Sequence, residues 1–394
     1  MTKLICAKCM KVHETTHPTT CPSCHASEEY LYNFKDSDTF LKKEVLRIVQ
    51  ERKDLELEGL VQGLDSVIIN TEPHLRVSAA TDLIRSTGLS FSEAFEDEQF
   101  KTIVLTHQDS ASFLIRSRKP GFQHENNPFF EFNTHPKSEH VPNTRLETFV
   151  FATPDIKKYV QIQKKRGVNF LTDDILQGKN YSFIQTIPSQ YTGNSIGLIQ
   201  WHKENKSYQS SEAEKIHIPL EKPKKSYLQN IKHLDHTATR VRATDRDAAI
   251  IEFMELTNYH FDFAIYVKLF NSITNVARLS AEDFAMVFTS GVVPYKNDEE
   301  SGPTEKFIHN YGTRVHHMAF HTENIEETFS QLKQNQMEFL IGLVGSEKDG
   351  LKQTFTKPSS STLLVNEYIH RFGDFDGFFT KNNVTKLTGA TDKQ

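Results

Sequence analysis

Four cysteines stand within the first 24 residues, Cys6, Cys9, Cys21 and Cys24, in the spacing C-x2-C-x11-C-x2-C, and the 394-residue chain has no others. Two C-x2-C knuckles aim four thiolates at one centre, and tetrahedral Zn2+ is the ion this soft ligand set favours. Two redox disulfides are the rival reading; a reducing cytoplasm and the paired knuckles favour zinc. Four sulfur ligands leave no open position, so such a zinc folds its segment and takes no part in catalysis. A stabilising cap is the expected role, with docking of a protein or nucleic acid as the alternative.

A second ligand set emerges from an internal repeat. Gly63-Leu64-Asp65-Ser66-Val67-Ile68-Ile69 resembles His233-Leu234-Asp235-His236-Thr237-Ala238-Thr239, and Glu147-Thr148-Phe149-Val150-Phe151-Ala152-Thr153 resembles His316-His317-Met318-Ala319-Phe320-His321-Thr322. The separations agree, 82 positions from Ser66 to Thr148 and 81 from His236 to His317. A third match sets Ile196-Gly197-Leu198-Ile199-Gln200-Trp201 against Thr362-Leu363-Leu364-Val365-Asn366-Glu367, 53 and 50 positions further on. Such a repeat is hard to obtain by chance. At the matched positions the first copy carries Ser66, Thr148 and Trp201, and the second carries His236, His317 and Glu367, so only the second can bind a metal. Two neutral imidazoles and a carboxylate on one face of an ion leave about three positions open, the arrangement suited to Fe(II) oxygen chemistry. A lone histidine on a strand is more often a satisfied polar residue; three ligand types at matched positions reverse that expectation.

The elements needed to position these residues follow from length and pattern. A chain of this size suits two mid-sized domains plus an appendage. The expected division is a zinc ribbon over 1–30, a connecting helix over 31–56, a metal-free domain over 57–215 and a catalytic domain over 216–394. Asp36-Ser37-Asp38 offers the helix an N-cap, and Phe40, Leu41, Val45, Leu46 and Ile48 recur at helical spacing. A hydrophobic fraction of 37% and a charged fraction of 25% are those of a soluble globular protein. A formal charge of −5 gives no general attraction for nucleic acid or anionic lipid. No run of eighteen apolar residues and no signal-peptide pattern occurs, so a cytoplasmic protein without membrane partners is expected.

The second copy resembles the vicinal oxygen chelate superfamily, and within it 4-hydroxyphenylpyruvate dioxygenase and its relatives. The resemblance spans roughly residues 57 to 388. It is carried by Leu234-Asp235-His236, Val315-His316-His317-Met318-Ala319-Phe320, Gln353-Thr354-Phe355-Thr356-Lys357-Pro358, Glu367-Tyr368-Ile369-His370-Arg371 and Gly377-Phe378. It implies an α+β fold of four βαβββ modules paired into two open barrel-like cups, the N-terminal one metal-free and the C-terminal one enclosing iron. By position, His236, His317 and Glu367 look like the iron ligands, Gln353 like a glutamine beside a bound 2-oxo acid, and Phe355 and Phe378 like aromatic pocket walls. The implied activity is an Fe(II) dioxygenase acting on an aromatic or related 2-oxo acid, with O2 uptake and decarboxylation.

The sequence also departs from the family pattern. His316 stands where the family commonly has a substrate-facing Gln, which makes it a candidate catalytic residue, although strand alternation equally allows it the opposite face. An Asn-Glu-Pro segment has no counterpart near Val292-Val293-Pro294-Tyr295-Lys296, and Asn383 replaces an expected Phe in the C-terminal lid. An extradiol-type catechol dioxygenase is therefore an alternative, with His316 or His309 and Tyr368 as its acid/base candidates. A glyoxalase-type isomerase or lyase, or a binding protein that recruits a partner through the ribbon, is another. Association of the chain with a second copy is left open.

Overall fold

The computed structural model describes residues 2–6, 9, 11–15, 18–28, 31–33, 38–124 and 126–393. The N-terminal unit is a three-stranded antiparallel sheet of β1 (Thr2–Cys6), β2 (Val12–Thr15) and β3 (Leu31–Asn33) in the order β2-β1-β3. Its interior is Cys6, Cys21 and Ala26, with Cys9, Cys24 and Leu31 packed against them. Helix α1 (Thr39–Asp54) follows. Of the expected cap, Asp36 and Ser37 lie outside the described residues, and Asp38 makes no side-chain cap bond.

Helix α1 buries a single stripe. Leu41, Ile48 and Arg52 are buried with Val45 against the same core, while Phe40 and Leu46 face solvent. Arg52 fixes the helix to the C-terminal half by donating to the backbone carbonyls of Met254, Asn258 and Tyr259. Arg52→Ala would leave these three carbonyls without their charged donor, at a cost of about 2–4 kcal/mol. A denaturant titration showing no change would refute that assignment.

Two large sheets make up the rest. The first unit runs β4 (Leu64–Asn70), α2 (Arg76–Ser86), β5 (Ser90–Glu96), β6 (Phe100–Thr106) and β7 (Ser112–Arg118). It continues as β8 (Arg145–Ala152), α3 (Ile156–Lys165), β9 (Leu176–Gln177), β10 (Tyr181–Gln185), β11 (Ser195–Trp201) and the short β12 (Glu214–Lys215). The second unit repeats the plan with β13 (Ile231–Arg240), α4 (Arg246–Leu256), β14 (His260–Val267), β15 (Ser272–Arg278) and β16 (Ala285–Ser290). After α5 (Pro303–Tyr311) come β17 (Arg314–Thr322), α6 (Ile325–Gln334), β18 (Val344–Ser346), β19 (Leu351–Phe355) and β20 (Val365–Arg371), and the chain closes with α7 (Lys381–Ala390). Among the described residues the sheets have nine and eight strands, ordered β12-β5-β6-β7-β4-β8-β11-β10-β9 and β14-β15-β16-β13-β17-β20-β19-β18. These are the four βαβββ modules and two curled half-barrels that the family resemblance implies. In each half the first strands of the two modules pair antiparallel at the centre, and each pairs parallel with the last strand of its own module.

Strand alternation sorts side chains between two faces. Val67 and Ile69 turn to the helix-covered face, where one core joins both halves, while Ile68 turns into the first cup. There Ile68, Phe95, Val104, Leu114 and Val150 fill the space. The strand registers make Ala238, Val287 and Ala319 the counterparts of Ile68, Leu114 and Val150. Smaller residues at these places leave the second cup room for a site.

The registers uphold two of the three matches drawn from sequence and correct the third. His236 lies across from Ala319 as Ser66 lies across from Val150, and His317 corresponds to Thr148. Glu367, however, pairs with Ala319 and Phe355, as Gly197 pairs with Val150 and Gln185. The counterpart of Glu367 is thus Gly197, and Trp201 corresponds to Arg371. The sequence match was offset by four residues, an even number, so it kept every side chain on the correct face and the hydrophobic alternation gave no warning.

Candidate metal centre

His236, His317 and Glu367 come from three adjacent central strands, β13, β17 and β20, and all point into the second cup. Their ligand atoms lie within 4.8 Å of one another. Glu367 Oε2 is 3.3 Å from His236 Nε2 and 3.2 Å from His317 Nε2. All three atoms are sealed from solvent, and none has a hydrogen-bond partner. Three orphaned polar atoms in one place are costly unless something they all coordinate sits between them. Cis ligands about 2.1 Å from an ion stand about 3 Å apart, so the donor set and its spacing fit a divalent metal.

The outer partners orient each ligand. His236 Nδ1 is 2.7 Å from Asp235 Oδ1, and Arg371 clamps the same carboxylate with two nitrogens. With Nδ1–H donated there, the Nε2 lone pair faces the centre. Gln353 Nε2 donates to Glu367 Oε1 at 2.7 Å and to the Phe378 carbonyl at 2.9 Å. Asn383 Nδ2 in turn reaches Gln353 Oε1 at 3.4 Å, so a chain of amides ties α7 to the carboxylate ligand. The first half keeps the same acid, since Asp65 accepts from Trp201 and Tyr208, but its cup offers only Ser66, Thr148 and Gly197.

Burial opposes charge on all three ligands. Even so, the Glu367 and Asp235 carboxylates raise His236 to about 9, and the two imidazoles hold Glu367 down at about 2. For His317 burial prevails and its pKa is lowered. The carboxylates thus favour positive charge at His236, and a divalent ion would take the place of a proton there, so metal binding competes with protons. Asp235→Asn would weaken the clamp on His236 and is expected to lower divalent-metal affinity about 10–100-fold. Competition against a chelator measures this, and an unchanged affinity would remove Asp235 from the centre.

The remaining sequence candidates divide. Phe355 stacks obliquely 4.8 Å from the His317 ring, and Phe378 meets His236 edge-on at 5.3 Å. His316 Nδ1 is 2.8 Å from His317 Nδ1. A β-bulge explains its position. Ala238 pairs with His317 and Thr239 with Val315, so His316 is the extra residue and turns inward beside its neighbour. Gln353 is found on the carboxylate ligand itself. The acid/base pair expected for an extradiol site is not there. Tyr368 lies on the opposite face of β20 and donates to the Ser86 carbonyl, while His309 on α5 stacks against Tyr295. Sequence reasoning also overlooked Asp235, Arg371 and Asn383 as supports. Asp235 could have been found, because a carboxylate next to a ligand histidine is a common way to fix its tautomer.

In the ribbon, Cys6 and Cys24 Sγ are 3.6 Å apart, as are those of Cys9 and Cys21, and all four sulfurs lie within 4.8 Å of one another. A disulfide needs about 2.05 Å. Tetrahedral ligands 2.3 Å from zinc stand about 3.75 Å apart, so the cluster has the dimensions of a four-thiolate site.

No known family profile and no curated protein matches this chain. Solved structures do. A triple variant of 4-hydroxymandelate synthase from Streptomyces coelicolor aligns over 84% of this chain and 98% of its own, with a TM-score of 0.63 and 14% identity. The chain has the 4-hydroxyphenylpyruvate dioxygenase-like fold. A xylose isomerase-like TIM barrel/4-hydroxyphenylpyruvate dioxygenase fusion protein aligns over 90% of this chain with a TM-score of 0.60 and 14% identity; this chain covers 58% of the fusion. In this fold the two cups are related by the repeat. Among the described residues, no helix is long and apolar enough to cross a membrane.

Proposed function

We propose that this chain is a mononuclear non-haem Fe(II) dioxygenase that consumes an aromatic or related 2-oxo acid, taking up O2 and releasing CO2. The observation that carries this reading is the meeting of two imidazole Nε2 atoms and one carboxylate oxygen, sealed and unpartnered, in the roomier of two related cups. Fe(II) held by His236, His317 and Glu367 would supply Lewis acidity and O2 chemistry to a bound 2-oxo acid.

The chain's own residues position and protect that chemistry. Asp235 and Arg371 hold the His236 ring, Gln353 holds Glu367, and His316 holds His317. Phe355, Phe378 and Phe379 line the approach, and a dry wall of this kind suppresses side reactions. The residual cavity beside His317 is only about 40 Å³, because Phe379, Val384 and Leu387 close over it. Binding a substrate therefore requires α7 and the segment before it to lift. Residues 57–215 act as the metal-free scaffold, residues 216–394 as the catalytic unit, and the four cysteines as the ligands of a structural zinc.

Fe(II)-loaded protein should couple O2 uptake to CO2 release with some member of a panel of aromatic 2-oxo acids. Catechols serve as the control, since their cleavage takes up O2 without releasing CO2. Oxygen uptake with catechols alone, or with neither group, would overturn the proposal.

A further inference from the structure

The cup face of β13, β16 and β15 is stacked in rows by its register. His236 lies beside Ala285; the next row is Ala238, Val287 and Val276; the third is Arg240, Thr289 and Thr274. At about 3.3 Å per residue, Arg240 stands about 13 Å along β13 from His236. The wall therefore passes from metal ligand through an apolar band to a band of hydrogen-bond donors.

Arg240 is 4% exposed and borders the same cavity as His316, His317 and Phe355. Among the described residues its guanidinium donates one hydrogen bond, to the Pro303 carbonyl at 3.1 Å, lies 4.5 Å from the Phe307 ring centre and pairs with no carboxylate. Burial pushes its pKa down to about 9, so it remains a cation at neutral pH. A buried cation without a counter-ion is expensive unless a ligand supplies one.

The first half shows what a closed version of this corner looks like. The register makes Asn70 the counterpart of Arg240, and Glu147 that of His316. There Asn70 donates to Glu147, and Arg118 forms a buried ion pair with the same carboxylate. The acid and base neutralise one another in place. In the second half the base has moved to β13, a histidine replaces the acid, and the corner stays cationic.

We infer that the Arg240 row binds an anionic group at the end of the substrate far from the metal, so the substrate class is a 2-oxo acid bearing a second, terminal carboxylate. This rests on the 2-oxo acid reading of the centre and adds the feature that selects among such acids. The oxo-acid end faces His236, His317 and Glu367, the middle lies along Ala238, Val287 and Val276, and the second carboxylate meets Arg240 with Thr274 and Thr289.

Calorimetric titration of the full-length, Fe(II)-loaded chain under nitrogen tests this by binding alone, with phenylpyruvate and 4-carboxyphenylpyruvate as probes. The carboxylated probe should bind at least about tenfold more tightly, as expected for a charge-assisted bidentate contact in a sealed site. Arg240→Met should erase that advantage and leave phenylpyruvate binding unchanged. Arg240→Lys, which retains the cation without the planar fork, should keep part of it. Equal affinities in the unaltered protein, or an advantage that survives Arg240→Met, would overturn the role of Arg240 and leave the 2-oxo acid reading standing. If the iron-loaded chain binds neither probe, the 2-oxo acid reading fails and this inference falls with it.

Discussion

Glu367→Ala is expected to remove Fe(II) binding and turnover together while the chain stays folded. The carboxylate is the one anionic ligand in the set, and its loss leaves two imidazoles that hold a divalent ion poorly. Losing an outer partner of a ligand typically costs 10–100-fold in affinity, so losing the ligand itself should cost at least about 100-fold. The fold should survive because β20 keeps its backbone pairing with β17 and β19 whatever side chain residue 367 carries. Without Glu367 the His236 imidazole can stay neutral, so the metal-free cup is not left with an uncompensated charge. Metal analysis after dialysis and a thermal melt settle the matter. Stoichiometric iron in a folded Glu367→Ala protein would mean that the three converging atoms are not the metal site.

The candidate ligands were easier to read in the sequence than the geometry around them. Cys6, Cys9, Cys21 and Cys24 announce themselves because metal-ligand spacing is local. His236 and His317 became visible through duplication, since the serine and threonine at the matching places of the first copy could not ligate. Position along a strand was harder. The sequence spacing matches Trp201 to Glu367 where the strand register places Gly197, because an even offset preserves alternation. His316 could not be assigned a face, because a bulge cancels the alternation used to assign one and leaves no mark in the sequence. Arg240 was legible in principle. It follows His236 and Ala238 at intervals of two on one strand, so it had to share their face. In α1 the apolar spacing gave the helix, but only Leu41, Val45 and Ile48 pack against the core, because a helix with one main neighbour buries a single stripe. Phe40 and Leu46 belong to the exposed side.

The same separation of local from distant effects predicts the outcome for the ribbon. Cys21→Ser should release one zinc per chain and unfold the ribbon while oxygen chemistry continues. Among the described residues the buried cluster around Cys21 contains little besides the four cysteines, Ala26 and Leu31, so folding there is expected to depend on the ion. In zinc-finger peptides the binding free energy, about 10–16 kcal/mol, is the folding free energy. A hydroxyl in place of one thiolate leaves three sulfurs and an incomplete shell, which should expose the first 33 or so residues to protease. The cup is built from a different core, shared by the two large sheets and α1, in which none of the described ribbon residues takes part. Energetic coupling between sites with no shared partners is small, so turnover should stay within about twofold of the unaltered protein. Zinc content, limited proteolysis and O2 uptake on one preparation test all three statements. If zinc is lost and turnover disappears while the thermal melt of the large sheets is unchanged, the ribbon acts on the centre directly, and the division between a folding metal and a reacting one is wrong.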